Sequence, residues 1–420
     1  MAPCGVAAAP HVRHGVGLAT QSRVARKGTG VQGLTSATGL AAGRGDVRGS
    51  VHPLTRSGAA VTQVSLSEAL ALGPAVWDDL AARGGSPSPF MSWAWHRAWL
   101  DSAPAEEVAA SIVLLLHGPA GSLDALLPVR LCRQRFHRVG VQAVTWAVGD
   151  VGCPDELDAA AVPTADMSAL AVALAALPWK VLVFTNLAEG ALNAERLCAA
   201  LETRGHAVRH HALWPCPQLE LPESWDAYLA TLSPNRRQIV RRKERSLRRE
   251  HRVEVTDYEA DRLEEGWGHL KRLHEQRWDG AGGGAFREPR SERLQRQFAR
   301  EMVEGRRLWL TTLDVDGRPA AAWYGFVSGD TVYFYQGGRD PRWERESVGL
   351  VLMGLMIQRA IERGYRRFSF LRGDDPYKRQ WTSSGRMTRE AVVFRPGWGG
   401  RWLRALDTVA DLRARGGAAR

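Results

Sequence analysis

The chain has 420 residues, 45% hydrophobic and 24% charged, with a net charge of +11, a globular composition that is too long for one ordinary core. No stretch approaches the eighteen or so apolar residues that a membrane-spanning helix needs. The five cysteines (Cys4, Cys132, Cys153, Cys198, Cys216) form neither a Cys-x-x-Cys pair nor a zinc-ligand spacing. A spanning protein, a disulfide scaffold and a zinc module are set aside, and a soluble, cytoplasmic, metal-free protein drawn to anionic partners is expected.

Residues 1–58 are rich in Gly, Ala, Ser, Thr and Arg and carry no acid before Asp46. Such a segment buries too little to fold, and a disordered extension is expected, with a transit peptide as the alternative. From Val61 the pattern alternates. Helical periodicity covers Leu66 to Leu80 and a Trp-rich helix runs near Pro89 to Leu100. Apolar strands follow near Ser111–Leu116, Leu123–Leu131 and Val141–Val148. A helix near Met167–Ala176, a strand Lys180–Phe184, a helix Asn193–Arg204 and a strand Ala207–Ala212 complete an α/β unit over residues 59–213.

Residues 214–420 are expected to form a second domain. Between Trp225 and Trp278 the chain is helical and strongly charged, with Ser233-Pro234 as a helix start, and Gly280 to Gly284 break it. The stretch Leu308–Leu313, Ala320–Val327 and Thr331–Tyr335 reads as an antiparallel meander with turns at Asp316-Gly317 and Gly329-Asp330. Ser347 can cap a helix carrying Val348, Val351, Leu352, Leu355, Met356 and Ile361, and Gly364 suits its C-terminus. A strand Arg366–Leu371 then gives a strand, crossover helix, strand unit, which is right-handed and parallel almost without exception. Both halves hold α/β content, which suggests a diverged tandem repeat.

A meander feeding a parallel strand pair through one buried helix is similar to the build of GNAT acyltransferases. The run Arg366-Arg367-Phe368-Ser369-Phe370-Leu371-Arg372-Gly373-Asp374-Asp375-Pro376-Tyr377-Lys378-Arg379-Gln380-Trp381 resembles the F-D-F-L-R-G-x-E-x-Y-K-x-x-W signature of the CelD-like acetyltransferases of cellulose-biosynthesis contexts. His274-x-x-x-Trp278 and the Arg236 to Arg252 helix look like that family too. The resemblance spans about Pro89 to Phe394 and implies kinship with Fem-type transferases, which pair two GNAT domains. Ser369 stands where the family has Asp, and Asp375 where it has Glu. The phosphate-loop pattern R/Q-x-x-G-x-G/A is not met, since Arg345 is followed by Ser347, Val348 and Gly349 and the next glycine is Gly354.

The resemblance implies tandem GNAT-like domains with mixed, mainly antiparallel sheets, the first degenerate and the second catalytic, with acetyl-CoA as co-substrate. Donor binding is expected at Arg342, Arg345, Ser347, Val348 and Gly349, because amides at a helix start attract phosphate and glycine admits close approach. The alternative is that Gly349 relieves packing and the arginines are a solvated face. Tyr377 is placed to protonate the leaving thiolate. Asp374 and Asp375 stand as base candidates or as helix caps before Pro376, and His274 as a base or a structural residue. Trp278, Arg372, Lys378 and Trp381 complete the expected substrate contacts.

The basic helix, residues 234–252, places nine Arg or Lys between Arg236 and Arg252 against Glu244 and Glu250. It reads as an RNA, anionic-lipid or glycan surface, or as a solvated face. The acceptor expected from family context is an amine or hydroxyl of a sugar or cell-envelope precursor, with peripheral association with an envelope assembly. The alternatives are a Fem-like transferase using aminoacyl-tRNA and an inactive pair acting as an RNA or polysaccharide-complex binding module.

Overall fold

The computed structural model describes residues 51–52, 59–85, 88–119, 121–278 and 286–418. The first half comprises β1 (Val51–His52), β2 (Ala60–Ser65), α1 (Leu66–Leu70), α2 (Pro74–Arg83), α3 (Trp93–Ser102), α4 (Ala105–Ala109), β3 (Ser111–His117), β4 (Leu123–Phe136), β5 (Val139–Trp146), β6 (Ala160–Ala161), α5 (Met167–Ala176), β7 (Val181–Leu187), α6 (Leu192–Glu202) and β8 (Ala207–Glu220). The second comprises α7 (Trp225–Thr231), α8 (Pro234–Glu250), β9 (Val253–Asp257), α9 (Leu263–Trp278), α10 (Pro289–Glu304), β10 (Leu308–Val315), β11 (Arg318–Ser328), β12 (Thr331–Arg339), α11 (Val348–Glu362), β13 (Arg367–Ser369), α12 (Pro376–Arg379), β14 (Gly385–Phe394) and α13 (Trp398–Ala418).

Local chemistry fixes many of these ends. Ser65 and Glu68 form a reciprocal capping box at α1, and Ser92 accepts from the Trp95 amide at α3. The single helix expected over Leu66 to Leu80 is two, because Gly73 takes φ +85° and Pro74 restarts the helix. The extension expected over residues 1–58 lies outside the described residues, apart from Val51 and His52, which pair with Thr62 and Val61. The glycine run Gly280–Gly284 lies outside them as well.

The strands make one mixed sheet of order β1-β2-β3-β4-β5-β7-β14-β8-β13-β12-β11-β10-β9, with β6 on β4. It contains a parallel, helix-crossed pair in each half. In the first half β5 and β7 pair through Ala143↔Val181 around α5, and in the second β12 and β13 pair through Thr331↔Arg367 around α11. The arrangement is that of tandem GNAT-like units. The two are not two separate sheets, however. β14, from the far end of the chain, inserts between β7 and β8, and β8 pairs with β14 over residues 207–217 and with β13 over residues 218–220. The expected boundary at 213/214 therefore falls inside a strand that both halves share.

The sheet's faces sort by strand alternation. In β12, Tyr333 faces the core shared by the first-half helices, α9 and α10, while Val332 and Phe334 face the core under α8 and α11. A third, smaller core lies beneath α13, around Phe136, Val181, Val392 and Leu403.

Candidate active site

The parallel pair β12 and β13 holds register only from Thr331↔Arg367 to Tyr333↔Ser369. Beyond it β12 runs on to Arg339, while the other strand leaves through Leu371 at φ +56° and Gly373 at φ +111°. A register shift at Tyr324/Gly325 bends β12 further. The strands thus part, and beside the opening lies a cavity of about 380 Å³ lined by Arg236, Arg277, Gly337, Arg339, Tyr377 and Trp381 together with Glu344, Ser347 and, from the first turns of α11, Gly349, Leu350, Leu352 and Met353.

At one end is the start of α11. Ser347 was expected to cap this helix, but it sits at φ +60° with no side-chain cap bond, and its hydroxyl turns back to the Glu344 carbonyl at 3.4 Å. The first amides of the helix are left without a side-chain cap, an anion-binding arrangement. A Cβ on Gly349 would meet only Arg339 Cδ, at 3.5 Å, so protein packing does not require glycine there. Gly338 differs, since a Cβ would fall 2.4 Å from the His274 amide nitrogen and the Leu273 carbonyl carbon, and glycine lets α9 lie directly on β12.

At the other end Tyr377, in α12, lies under the Arg277 guanidinium, 5.3 Å from the ring centroid. Burial pushes its phenol up to about 12, with Arg277 pulling the other way, so it is a proton donor at neutral pH. Trp381 is buried, its ring covered by Arg236 at 4.6 Å and its carbonyl accepting from Tyr228 Oη at 2.9 Å.

The other residues named from sequence are placed differently. Val348 packs into the core and Arg345 points outward. Arg342 is bound to the buried Asp340 carboxylate, with Nε at 3.0 and 3.1 Å from its two oxygens. Asp374 pairs with Arg379, and Asp375 with Lys378 at 3.3 Å, both carboxylates being half-exposed and outside the cavity lining. Lys378 is buried and donates to the Arg372 carbonyl at 2.6 Å. Arg372 donates its backbone N–H to Asp155 at 2.9 Å, and its side chain to the Pro154 carbonyl at 2.6 Å, while its guanidinium pairs with the fully buried Asp155 carboxylate. That pair fastens the two halves; burial works against the Arg372 charge, but Asp155, with Cys153 and Asp150 nearby, outweighs it and raises the Arg372 pKa. His274 is buried with Nδ1 3.2 Å from the Gly337 carbonyl, and desolvation holds its pKa below the usual imidazole value. The side chain of Trp278 lies outside the described residues.

Sequence reading did not single out Arg277, Arg339 and Glu344, which line the cavity, and of the nine cations in the basic helix it could not say that Arg236 is the one turned into it. It also did not foresee Glu156. This first-half carboxylate, at φ +53°, accepts from Ser369 Oγ at 3.3 Å, at the point where the parallel strands part. Burial and the neighbouring Asp155 raise its pKa. A carboxylate from the other half thus meets the strand at Ser369.

Residues 234–379 match the family model described as acetyltransferase (GNAT) domain. The protein carries a GNAT-type acyltransferase domain. Among solved structures, the chain is similar to a conserved protein of unknown function from Bacteroides thetaiotaomicron, at 12% identity and TM-score 0.52, covering 77% of this chain and 98% of that one. It is also similar to FemX, at 9% identity and TM-score 0.47 over 70% and 90% of the two chains. A tandem GNAT protein from the clavulanic acid biosynthesis pathway matches at 11% and 0.43 over 81% and 100%. These likenesses concern the fold. No curated protein matches the sequence. Among the described residues, no helix of this acyltransferase is long and apolar enough to cross a membrane, and no group of three or more His, Cys, Asp or Glu is gathered as for a metal.

Proposed function

We propose that the second half transfers an acyl group, acetyl from acetyl-CoA, to an amine or hydroxyl of a sugar or cell-envelope precursor. The observation that carries this reading is one cavity with an uncapped helix start at one end and a half-buried, protonated tyrosine at the other. The α11 amides and Gly349 would hold the donor's phosphates, with Arg339 and Arg236 contributing charge. Acetyl-CoA, when bound, supplies an activated thioester. Tyr377 holds a proton on its phenol oxygen for the departing sulfur, and Arg277 orients the ring. Asp374 and Asp375, tied to Arg379 and Lys378, act as structural partners, and Glu156, beside Ser369 at the strand opening though outside the cavity lining, takes the acceptor's proton. The acceptor class rests on the CelD-like wording of residues 366–381 alone.

A second reading, a Fem-like transferase using aminoacyl-tRNA, is favoured by one observation. The basic helix α8 borders the cavity through Arg236 and presents Arg241, Arg242, Arg245 and Arg249 outward. The test is a thiol-release assay with acetyl-CoA across amino sugars, amines and polyols, run beside mass spectrometry of the ligand that copurifies. Release of coenzyme A with an acetylated acceptor supports the first reading. Copurifying tRNA with no thiol release would move the protein to the second.

A further inference from the structure

The last helix, α13, carries a feature unrelated to the acyl-transfer site. At about 100° per residue, Trp398, Trp402, Ala405, Val409 and Leu412 fall within an arc of about 80°, recurring at alternating steps of four and three. The four large ones are exposed, Trp398 at 87%, Leu412 at 64%, Trp402 at 52% and Val409 at 45%. The opposite face is the one that packs on the sheet, through buried Leu403 and Asp407.

Charge decides what this stripe fits. Both acids of the helix are turned inward. Asp407 pairs with Arg209 Nε at 2.8 Å, His137 at 2.9 Å and His211 at 3.0 Å, and Asp411 with Arg209 at 3.2 Å. Beside the stripe stand Arg401 and Arg413, with Arg404 farther round on the flank, all exposed, and Arg401 lies over Trp398 at 6.0 Å from the ring centroid. A second copy of the chain docked here would bring arginine rows together in a protein already at +11, a costly juxtaposition. Tryptophan and aliphatic side chains flanked by arginines, with both acids on the packed side, suit the boundary between acyl chains and anionic headgroups.

We propose that α13 seats the protein on an anionic lipid surface, with the Trp398 to Leu412 stripe in the acyl boundary and its arginines among the headgroups. The full chain should cosediment with phosphatidylglycerol–phosphatidylcholine vesicles but not with pure phosphatidylcholine, with a blue shift of tryptophan emission and weakening in high salt. The double variant Trp398→Ser/Trp402→Ser should lose at least about tenfold in affinity, roughly what two lost interfacial side chains predict, with unchanged melting because both side chains are exposed. Arg401→Gln/Arg413→Gln should remove the preference for anionic vesicles. Undiminished vesicle binding by the tryptophan variant would overturn the proposal. So would a dimer in sedimentation velocity that those substitutions abolish in a protein with no vesicle affinity.

Discussion

Each half of the sheet holds a parallel strand pair crossed by one helix, and the two helix starts have opposite chemistry. In the first half Asp166 caps α5, its carboxylate accepting from the Ser168 and Ala169 amides at 3.0 and 3.3 Å. In the second half Ser347 leaves α11 without a side-chain cap, and its first turns line a cavity. A carboxylate cap satisfies the amides and repels phosphate, whereas an uncapped start leaves them for an anionic ligand. We propose that one architecture, present twice, serves as a scaffold on one side and as the donor site on the other.

The comparison can be broken most sharply at Tyr377. If chemistry belongs to the second half, Tyr377→Phe should lower kcat by about a hundredfold to ten-thousandfold with the donor KM little changed, because it removes a proton donor and keeps the ring. Near-full turnover in that variant, with loss in Glu156→Gln, would move the working group to the carboxylate. Next in size is the joint between the halves. Asp155→Ala leaves Arg372 buried without its partner, and a loss of about 3–5 kcal/mol of stability is expected by chemical denaturation. A loss under about 1 kcal/mol would mean that the halves are not fastened there.

Much of this was legible in the sequence, and the limits follow from what sequence encodes locally. The second meander and α11 could be read because turn residues and an apolar period mark them, and Gly364 takes φ +76° where the helix ends. Gly349, Tyr377 and Trp381 were named from the chain alone and meet in one cavity. Helix α10 was missed. The strand β14 was missed too, since nothing local in residues 385–394 announces partners near residues 181 and 207. Pro215 and Pro217 hid the length of β8, yet their carbonyls accept from Gly373 and Phe370 at 2.9 Å. Arg342 and Arg339, or Asp375 and Glu156, cannot be told apart by residue type, and only the packing shows which is held by a neighbour and which faces the strand opening.

The scaffold side makes smaller predictions. Asp166→Ala should cost about 1 kcal/mol through the lost cap and leave kcat/KM unchanged, and a fall in activity would contradict the division of labour. Under α13, burial pushes Glu390 up to about 7, and its bond to Asp407 raises His211. Both folded values exceed the ordinary ones, so their contribution is present at low pH and lost as pH rises through about 7. Asp407 is shifted the opposite way by His137, His211 and Arg209, and its contribution fades only on strong acidification. Melting should therefore be higher at about pH 5.5 than at about pH 8, and Glu390→Gln should flatten the difference. A steeper dependence in that variant would place the titrating group elsewhere.

The most direct test of the division is calorimetric titration of coenzyme A into the full chain, its Gly349→Val variant and its Asp166→Ala variant. One site per chain is expected. It should weaken at least about tenfold in Gly349→Val, where a branched side chain stands between the α11 amides and phosphate, and stay unchanged in Asp166→Ala. Two sites per chain, or unchanged affinity in Gly349→Val, would contradict the account.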